Sequence, residues 1–216
     1  MRLFASRRTK VGGDYYDLQS TGPGRMCLAL GDVTGKGLGA ALLMANLQGV
    51  LRSQSMVGRG DIGDWLTLAN RVCLENWPDG IYATLFLAEY CDDTTSLRYI
   101  NCGHPSPILL RADGSIEQLE ATAGVLGLFP DWKDTTEETN MSPGDTLLVY
   151  SDGLTEASDA DGRALGPERV VDLLRAGQGL PVSKMIKSMV DEVDSFVPEQ
   201  QDDLTILAAR CGRWLN

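Results

Sequence analysis

The chain has 216 residues, with 30 acidic against 19 basic, a formal net charge of −11, one histidine and five cysteines. Its apolar fraction of 43% and charged fraction of 23% are those of a soluble globular protein, with length for one large domain. The acid excess argues against nucleic-acid binding, one histidine excludes a histidine-rich zinc site, and an odd cysteine count with no Cys-x-x-Cys disfavours disulfide and zinc frameworks.

Reduced thiols in a cytoplasmic protein are therefore expected. Arg2, Arg7, Arg8 and Lys10 crowd the N-terminus, but no apolar stretch follows them, so they do not make a secretory signal. The longest purely apolar run, 40–45, falls far short of the roughly 18 residues that would span a bilayer. Membrane insertion by this chain is not expected.

Residues 25–33 alternate and predict a strand with Met26, Leu28 and Leu30 on one face. A Gly-rich turn leads into a helix over 38–56 that gathers Leu43, Leu47, Val50 and Leu51 on one side. A second helix over 62–76 carries the stripe Ile62, Leu66, Ala69 and Cys73. Strand-like segments follow at 82–90, 96–102 and 108–111, and Asp113-Gly114 turns the last into a hairpin with 116–119. Further strands are expected at 132–138 and 145–151, the second introduced by the turn Ser142-Pro143-Gly144-Asp145. Pro167 opens a helix running to about Arg175. Another helix, over 181–196, presents Val182, Met185, Ile186, Met189, Val193 and Phe196 on one face, and a strand over 204–211 closes the chain. Antiparallel-looking strands broken by pairs of helices give an α+β layered domain. Without regular βαβ alternation, a doubly wound parallel sheet is disfavoured.

The acidic residues are lopsided, with 20 Asp against 10 Glu. Asp favours turns, caps and hard-metal sites. Four segments set Asp at a strand end or in a Gly-flanked turn: Gly12-Gly13-Asp14-Tyr15-Tyr16-Asp17, Gly31-Asp32-Val33-Thr34-Gly35-Lys36-Gly37, Ser151-Asp152-Gly153 and Gln201-Asp202-Asp203-Leu204-Thr205. Each alone reads as a turn. Carboxylates gathered at neighbouring strand ends repel one another, and divalent cations remove that cost. Carboxylate, carbonyl and water ligands suit Mg²⁺ or Mn²⁺. Spacing leaves turns and a metal site both open. Two other matches fail: Tyr15-Tyr16 follows Gly-Gly-Asp where a dinucleotide cyclase has Glu-Phe, and Lys36 lacks the Ser or Thr that follows the lysine of a P-loop.

Taken in order, Val11-Gly-Gly-Asp-Tyr-Tyr-Asp17, Gly31-Asp-Val-Thr-Gly-Lys-Gly37, Asn101-Cys-Gly-His-Pro105, Tyr150-Ser-Asp-Gly-Leu-Thr-Glu156 and Gln201-Asp-Asp-Leu-Thr205 form a pattern. It resembles the bacterial SpoIIE/RsbU branch of the PP2C-type (PPM) metal-dependent serine/threonine phosphatases, from about residue 5 to residue 210. The resemblance implies a PP2C-like sandwich of two antiparallel β-sheets flanked by α-helices, as a single phosphatase domain over 1–216. It implies two divalent cations, Mn²⁺ or Mg²⁺, with a third in some members of the wider family. Asp32 matches the aspartate bridging both metals, and the Val33 backbone carbonyl a ligand of one. Asp152 and Asp202 match further ligands, and Asp14 the first-strand acidic ligand. Asp32, Asp152 and Asp202 would thereby act through a metal-activated water. Asp17 and Asp203 stay open between a place behind the ligands or in the scaffold and contact with a metal or its water.

Eukaryotic relatives carry Asp-Gly-His where this chain has Asp32-Val33-Thr34. The histidine here, His104, stands where the wider family often has Gly-Asp near the third metal. Its reading stays open between that region and a strand-end hydrogen bond, and Lys36 stays open between phosphate binding and a solvated turn. The implied substrate is a phosphoserine or phosphothreonine on a STAS-domain anti-sigma-factor antagonist, or a similar phosphoprotein, in a partner-switching pathway. The alternative is a non-catalytic, metal-binding pseudophosphatase that captures a phosphoprotein. The resemblance also allows a homodimer or an upstream sensor domain, so the chain is either a stand-alone phosphatase or the output domain of a longer protein.

Overall fold

The capping residues already dictate where the best-defined helix begins. Asp61 accepts from the backbone N–H groups of Gly63 and Asp64 at 3.0 and 3.1 Å, and the Asp64 carboxylate accepts from the Asp61 N–H at 3.1 Å. This reciprocal box starts the helix Ile62–Asn76 at the residue the sequence indicates. The computed structural model describes residues 2–8, 12–57, 60–197 and 203–212. It has an α+β fold of two five-stranded antiparallel sheets and four α-helices among the described residues.

Two compact units divide the chain. One comprises Met1–Thr9, Pro107–Leu119 and Met141–Asn216; the other comprises Lys10–Ser106 and Glu120–Asn140. The second unit holds β2 (Tyr15–Gly22), β3 (Arg25–Val33), β4 (Ala83–Cys91), β5 (Ser96–Cys102) and β8 (Glu137–Asn140), hydrogen-bonded in that order. Helices α1 (Gly37–Val57) and α2 (Ile62–Asn76) belong to the same unit. Ala40, Met44, Leu47 and Leu51 of α1 and Ile62, Leu66, Ala69 and Cys73 of α2 are buried in one core with Ala29, Val33, Ala83, Leu85 and Leu87 of the sheet. The i, i+3/i+4 stripes meet a period-two sheet face, so apolar burial fixes both register and helix rotation.

The first unit holds β1 (Arg2–Arg8), β10 (Leu204–Arg210), β9 (Thr146–Tyr150), β6 (Ile108–Leu110) and β7 (Ile116–Gln118), in that order across its sheet. Its helices are α3 (Gly166–Ala176) and α4 (Val182–Phe196). Val170 and Leu174 of α3 share a core with Val182, Met185, Ile186, Met189 and Val193 of α4 and with Ile108, Leu148, Tyr150 and Ile206 of the sheet. Pro167 sits in the first turn of α3 and Arg175 in its last, which suits a chain lacking the first N–H and a macrodipole negative at its end.

Three departures from the expected elements have physical causes. The strand expected at 132–138 begins only at Glu137. Residues before it bond to another loop: the Thr135 N–H donates to the Thr122 carbonyl at 3.1 Å, and the Trp132 indole N–H donates to the Gly124 carbonyl at 2.6 Å. β1 was not foreseen because it lacks an apolar alternation of its own; its seven residues pair with β10 along their length. β2 was missed because polar residues break its apolar pattern, and the charge of one of them, Asp17, is met by Arg52 of α1, far away in the chain. Among the described residues, no helix is long and apolar enough to cross a membrane, and no disulfide forms.

Candidate functional site

Asp14 precedes β2, and Asp32 and Val33 end β3. The Val33 N–H donates to the Gly13 carbonyl at 3.3 Å, fastening the Gly-Gly-Asp turn to the end of β3. A Cβ placed on Gly13 would lie 2.5 Å from the Val33 carbonyl oxygen and 2.6 Å from Asp32 Oδ1. Glycine is thus required by the close approach of backbone to two oxygen donors. Asp14, the next residue, is 2% exposed. A carboxylate so shielded from water needs compensating charge or hydrogen bonds. The Gly13 turn lies against one carboxylate oxygen and one carbonyl, with the buried Asp14 next in the chain, and this all-oxygen chemistry suits Mg²⁺ or Mn²⁺. This half of the expected constellation fits a hard divalent cation.

In the other unit, Ser151 is fully buried and links two strand ends. Its N–H donates to the Thr205 carbonyl at 3.0 Å, and its hydroxyl accepts from the Thr205 N–H at 3.0 Å. Asp152 opens a short 3-10 turn, Asp152–Leu154, and its carbonyl accepts from the N–H groups of Thr155 and Glu156 at 2.9 and 2.8 Å. A Cβ on Gly153 would fall 2.0 Å from the Asp203 carbonyl oxygen, so the Ser-Asp-Gly turn and the residue leading into β10 can touch only because position 153 is glycine. Asp202 lies outside the described residues. Among the described residues, no three or more His, Cys, Asp or Glu side chains form a cluster able to hold a metal. The expected ligand set relies on Asp202 and on the Val33 carbonyl as well.

His104 follows Gly103, whose φ of +68° turns the chain out of β5. It is 4% exposed. Its N–H donates to Asn101 Oδ1 at 2.8 Å, and its Nδ1 lies 3.0 Å from Thr84 Oγ1. Lys36 is exposed in the turn before α1. Asp17, 4% exposed, accepts five hydrogen bonds: from Tyr15 Oη, the Leu18 N–H, Gln19 Nε2, and Arg52 Nε and Nη2. Burial pushes the Asp17 pKa up, but the bonds from Arg52, Gln19 and Tyr15 outweigh it and hold the carboxyl below its ordinary value.

Thr84, Ser151, Gly13 and Gly153 were not singled out from the sequence. The three in motifs carried a signal, glycine or serine beside the candidate aspartate; Thr84 carried none, because only strand pairing brings it to Asp32. Burial pushes the Cys27 and Cys73 thiols up to about 12, so these are packing residues and not nucleophiles. A cavity of about 640 Å³ beside α2, lined by Gln54, Asp64, Arg71, Glu75, Pro130 and Trp132, contains none of the motif aspartates.

The family model for stage II sporulation protein E (SpoIIE) matches residues 22–212. The chain belongs to the SpoIIE family. Among curated relatives, Protein IcfG of Synechocystis sp. is 27% identical over 231 residues, covering 92% of this chain and 36% of that protein. Phosphoserine phosphatase RsbU of Bacillus subtilis is 28% identical over 207 residues, covering 93% of this chain and 60% of RsbU. The chain thus spans roughly a third to three-fifths of the length of these relatives. Among solved structures, the RsbU and RsbW domains of Rv1364c from Mycobacterium tuberculosis align with a TM-score of 0.84 at 27% identity, covering 97% of this chain and 60% of that one. The SiaA-PP2C domain of Pseudomonas aeruginosa aligns with a TM-score of 0.84 at 20% identity, covering 96% of this chain and 85% of that one. The SpoIIE family therefore brings this chain the PP2C fold of the SpoIIE/RsbU branch.

Proposed function

We propose that the chain is a metal-dependent serine/threonine protein phosphatase. The observation that carries this reading is the Gly13 turn, whose backbone packs against Asp32 Oδ1 and the Val33 carbonyl, with the buried Asp14 as the next residue. In this reading Asp14, Asp32, the Val33 carbonyl, Asp152 and Asp202 hold two Mn²⁺ or Mg²⁺ ions. When bound, such ions activate water and offset charge on the phosphoryl oxygens.

The chain's own groups have separate tasks. The Gly13 and Gly153 contacts hold the strand-end carboxylates in place without side-chain bulk between them. Lys36, exposed beside Asp32 in sequence, supplies positive charge to attract a phosphate in a chain that is otherwise strongly acidic. Asp203 contributes through its backbone, which packs on Gly153.

Both units act as one phosphatase domain over 1–216, and the protein works in the cytoplasm. Its substrate is a phosphoserine or phosphothreonine on a STAS-domain anti-sigma-factor antagonist, in a partner-switching pathway. The support is the RsbU relative, named a phosphoserine phosphatase, and the structural neighbour that joins RsbU and RsbW domains in one chain.

The test is phosphate release from a panel of phosphorylated STAS proteins with Mn²⁺, with Mg²⁺ and with chelator. Metal-dependent turnover of at least one member is expected. Metal-dependent binding of the phosphoprotein without turnover would replace the enzyme by a phosphoprotein-capturing module.

A further inference from the structure

We propose that Thr84 and His104 form a positioning relay for Asp32, so that Thr84 governs the affinity of the site for Mn²⁺. The inference rests on the reading of Asp32 as a metal ligand. Its own basis is the strand register and the side-chain contact beyond it.

Asp32 and Thr84 are direct partners across the antiparallel pair β3–β4. Directly opposed residues project from the same face, with Cβ atoms about 4.5–5.5 Å apart. Their neighbours Val33, Ala83 and Leu85 turn to the opposite face and are buried in the core shared with α1 and α2. Asp32 and Thr84 are only partly buried, whereas Gly31, Val33, Ala83 and Leu85 are buried. The pair therefore stands apart from the helix-side core. Thr84 Oγ1 then lies 3.0 Å from His104 Nδ1.

His104 is itself fixed. Its N–H donates to Asn101 Oδ1 at 2.8 Å, and Asn101 is fully buried at the end of β5. The Asn101 N–H donates to Thr122 Oγ1 at 3.1 Å, and its carbonyl accepts from the N–H groups of Thr122 and Ala123 at 2.9 and 3.0 Å. The imidazole is thus carried on a backbone pinned at several points. A hydroxyl has one proton and two acceptor sites. The relay takes the tautomer with the proton on His104 Nδ1, which donates to Thr84 Oγ1 and leaves the hydroxyl proton for the face it shares with Asp32. A hydroxyl proton on that face would favour one orientation of the Asp32 carboxylate for the cation. Partners of this kind behind a metal ligand typically change metal affinity by about 10–100-fold when removed.

The relay is separable from packing because Thr84→Val keeps the shape and removes only the hydroxyl, while Thr84→Ser restores it. At His104, Asn places an amide near the position of Nδ1, and Leu offers none. The experiment is calorimetric titration of the metal-free, folded protein with Mn²⁺, with thermal melting run alongside. Wild type and Thr84→Ser are expected to bind within about threefold of each other. Thr84→Val and His104→Leu are expected to bind at least about tenfold more weakly, with His104→Asn closer to wild type. The deficit of Thr84→Val in phosphate release should close as Mn²⁺ is raised, which a loss of fold would not do.

Thr84→Val binding Mn²⁺ within twofold of wild type, while Asp32→Asn binds weakly, would overturn the relay and leave the metal reading standing. Failure of wild type to bind Mn²⁺ at all would overturn both. Where Thr84→Val does not fold, the His104→Asn and His104→Leu pair decides: equal affinities for the two overturn the relay.

Discussion

Arg52 grips Asp17 through both carboxylate oxygens, Nε to Oδ2 at 2.7 Å and Nη2 to Oδ1 at 2.8 Å. The two residues belong to α1 and β2, so the fork ties a helix to the strand that follows the Asp14 turn. Bidentate geometry makes this stronger than a single ion pair, although the Arg52 side chain is 54% exposed and faces screening. Gln19 joins the same carboxylate, and Ser55 Oγ donates to Gln19 Oε1. The buried charge is stable only as part of this set.

Asp17→Asn should therefore lower stability at neutral pH by about 2 kcal/mol, since it removes the charge from hydrogen bonds made to a charged group. The pH dependence has a definite sign. A carboxyl whose folded pKa is depressed stabilises fully above its unfolded value near about 4, and loses that contribution as pH falls through the lower folded value. Urea unfolding of both proteins from pH 7 down to pH 3 should show their curves converging at the acid end. A gap that stays constant with pH would mean the effect is packing alone.

Gly153→Ala should cost at least about 2 kcal/mol and weaken Mn²⁺ binding, because the new methyl would meet the Asp203 carbonyl oxygen 2.0 Å away. The obstacle is backbone, so no rotamer relieves it. Denaturant unfolding with calorimetric metal titration measures both effects. Unchanged stability would show that the turn tolerates a wider spacing.

Asn70 holds a loop from within α2. It is 4% exposed; its Nδ2 donates to the Phe129 carbonyl at 3.1 Å, and its Oδ1 accepts from the Gly127 N–H at 2.8 Å. Asn70→Ala strands both loop groups and should cost about 1–3 kcal/mol. Hydrogen exchange at the Gly127 amide should accelerate well beyond that of the β4 amides. Equal acceleration throughout would point to global loosening instead.

Asp134 is a candidate for relief of strain. Burial, then the nearby Asp61 and Asp64 carboxylates, raise its pKa. A raised carboxyl destabilises the fold above its unfolded pKa, and the penalty vanishes once it is protonated. Asp134→Asn should raise the melting temperature at pH 7 and leave it unchanged near pH 3. A variant that melts lower at pH 7 would show that the Asp134 charge is useful.

Much of this molecule was legible because burial repeats with the period of each element. The stripes Ile62, Leu66, Ala69, Cys73 and Met185, Ile186, Met189, Val193 named their helices and the faces that pack. β1 and β2 were not legible, since the partners that stabilise them, β10 and Arg52, lie far away in the chain. At the candidate site, the motifs singled out Asp14, Asp32 and Asp152 as expectations, and Gly13 and Gly153 beside them mark backbone contacts closer than any side chain allows. Thr84 could be found only from the β3–β4 register, which no local pattern encodes.

The most direct test of the central claim is Mn²⁺-dependent phosphate release from a phosphoserine protein by wild type, Asp32→Asn and Asp152→Asn, each verified as folded by its melting curve. A metal-activated phosphatase predicts turnover by wild type that chelator abolishes, and release at background by both variants. Turnover by both variants at the wild-type rate would contradict the account, because the carboxylates it places at the metals would then be dispensable.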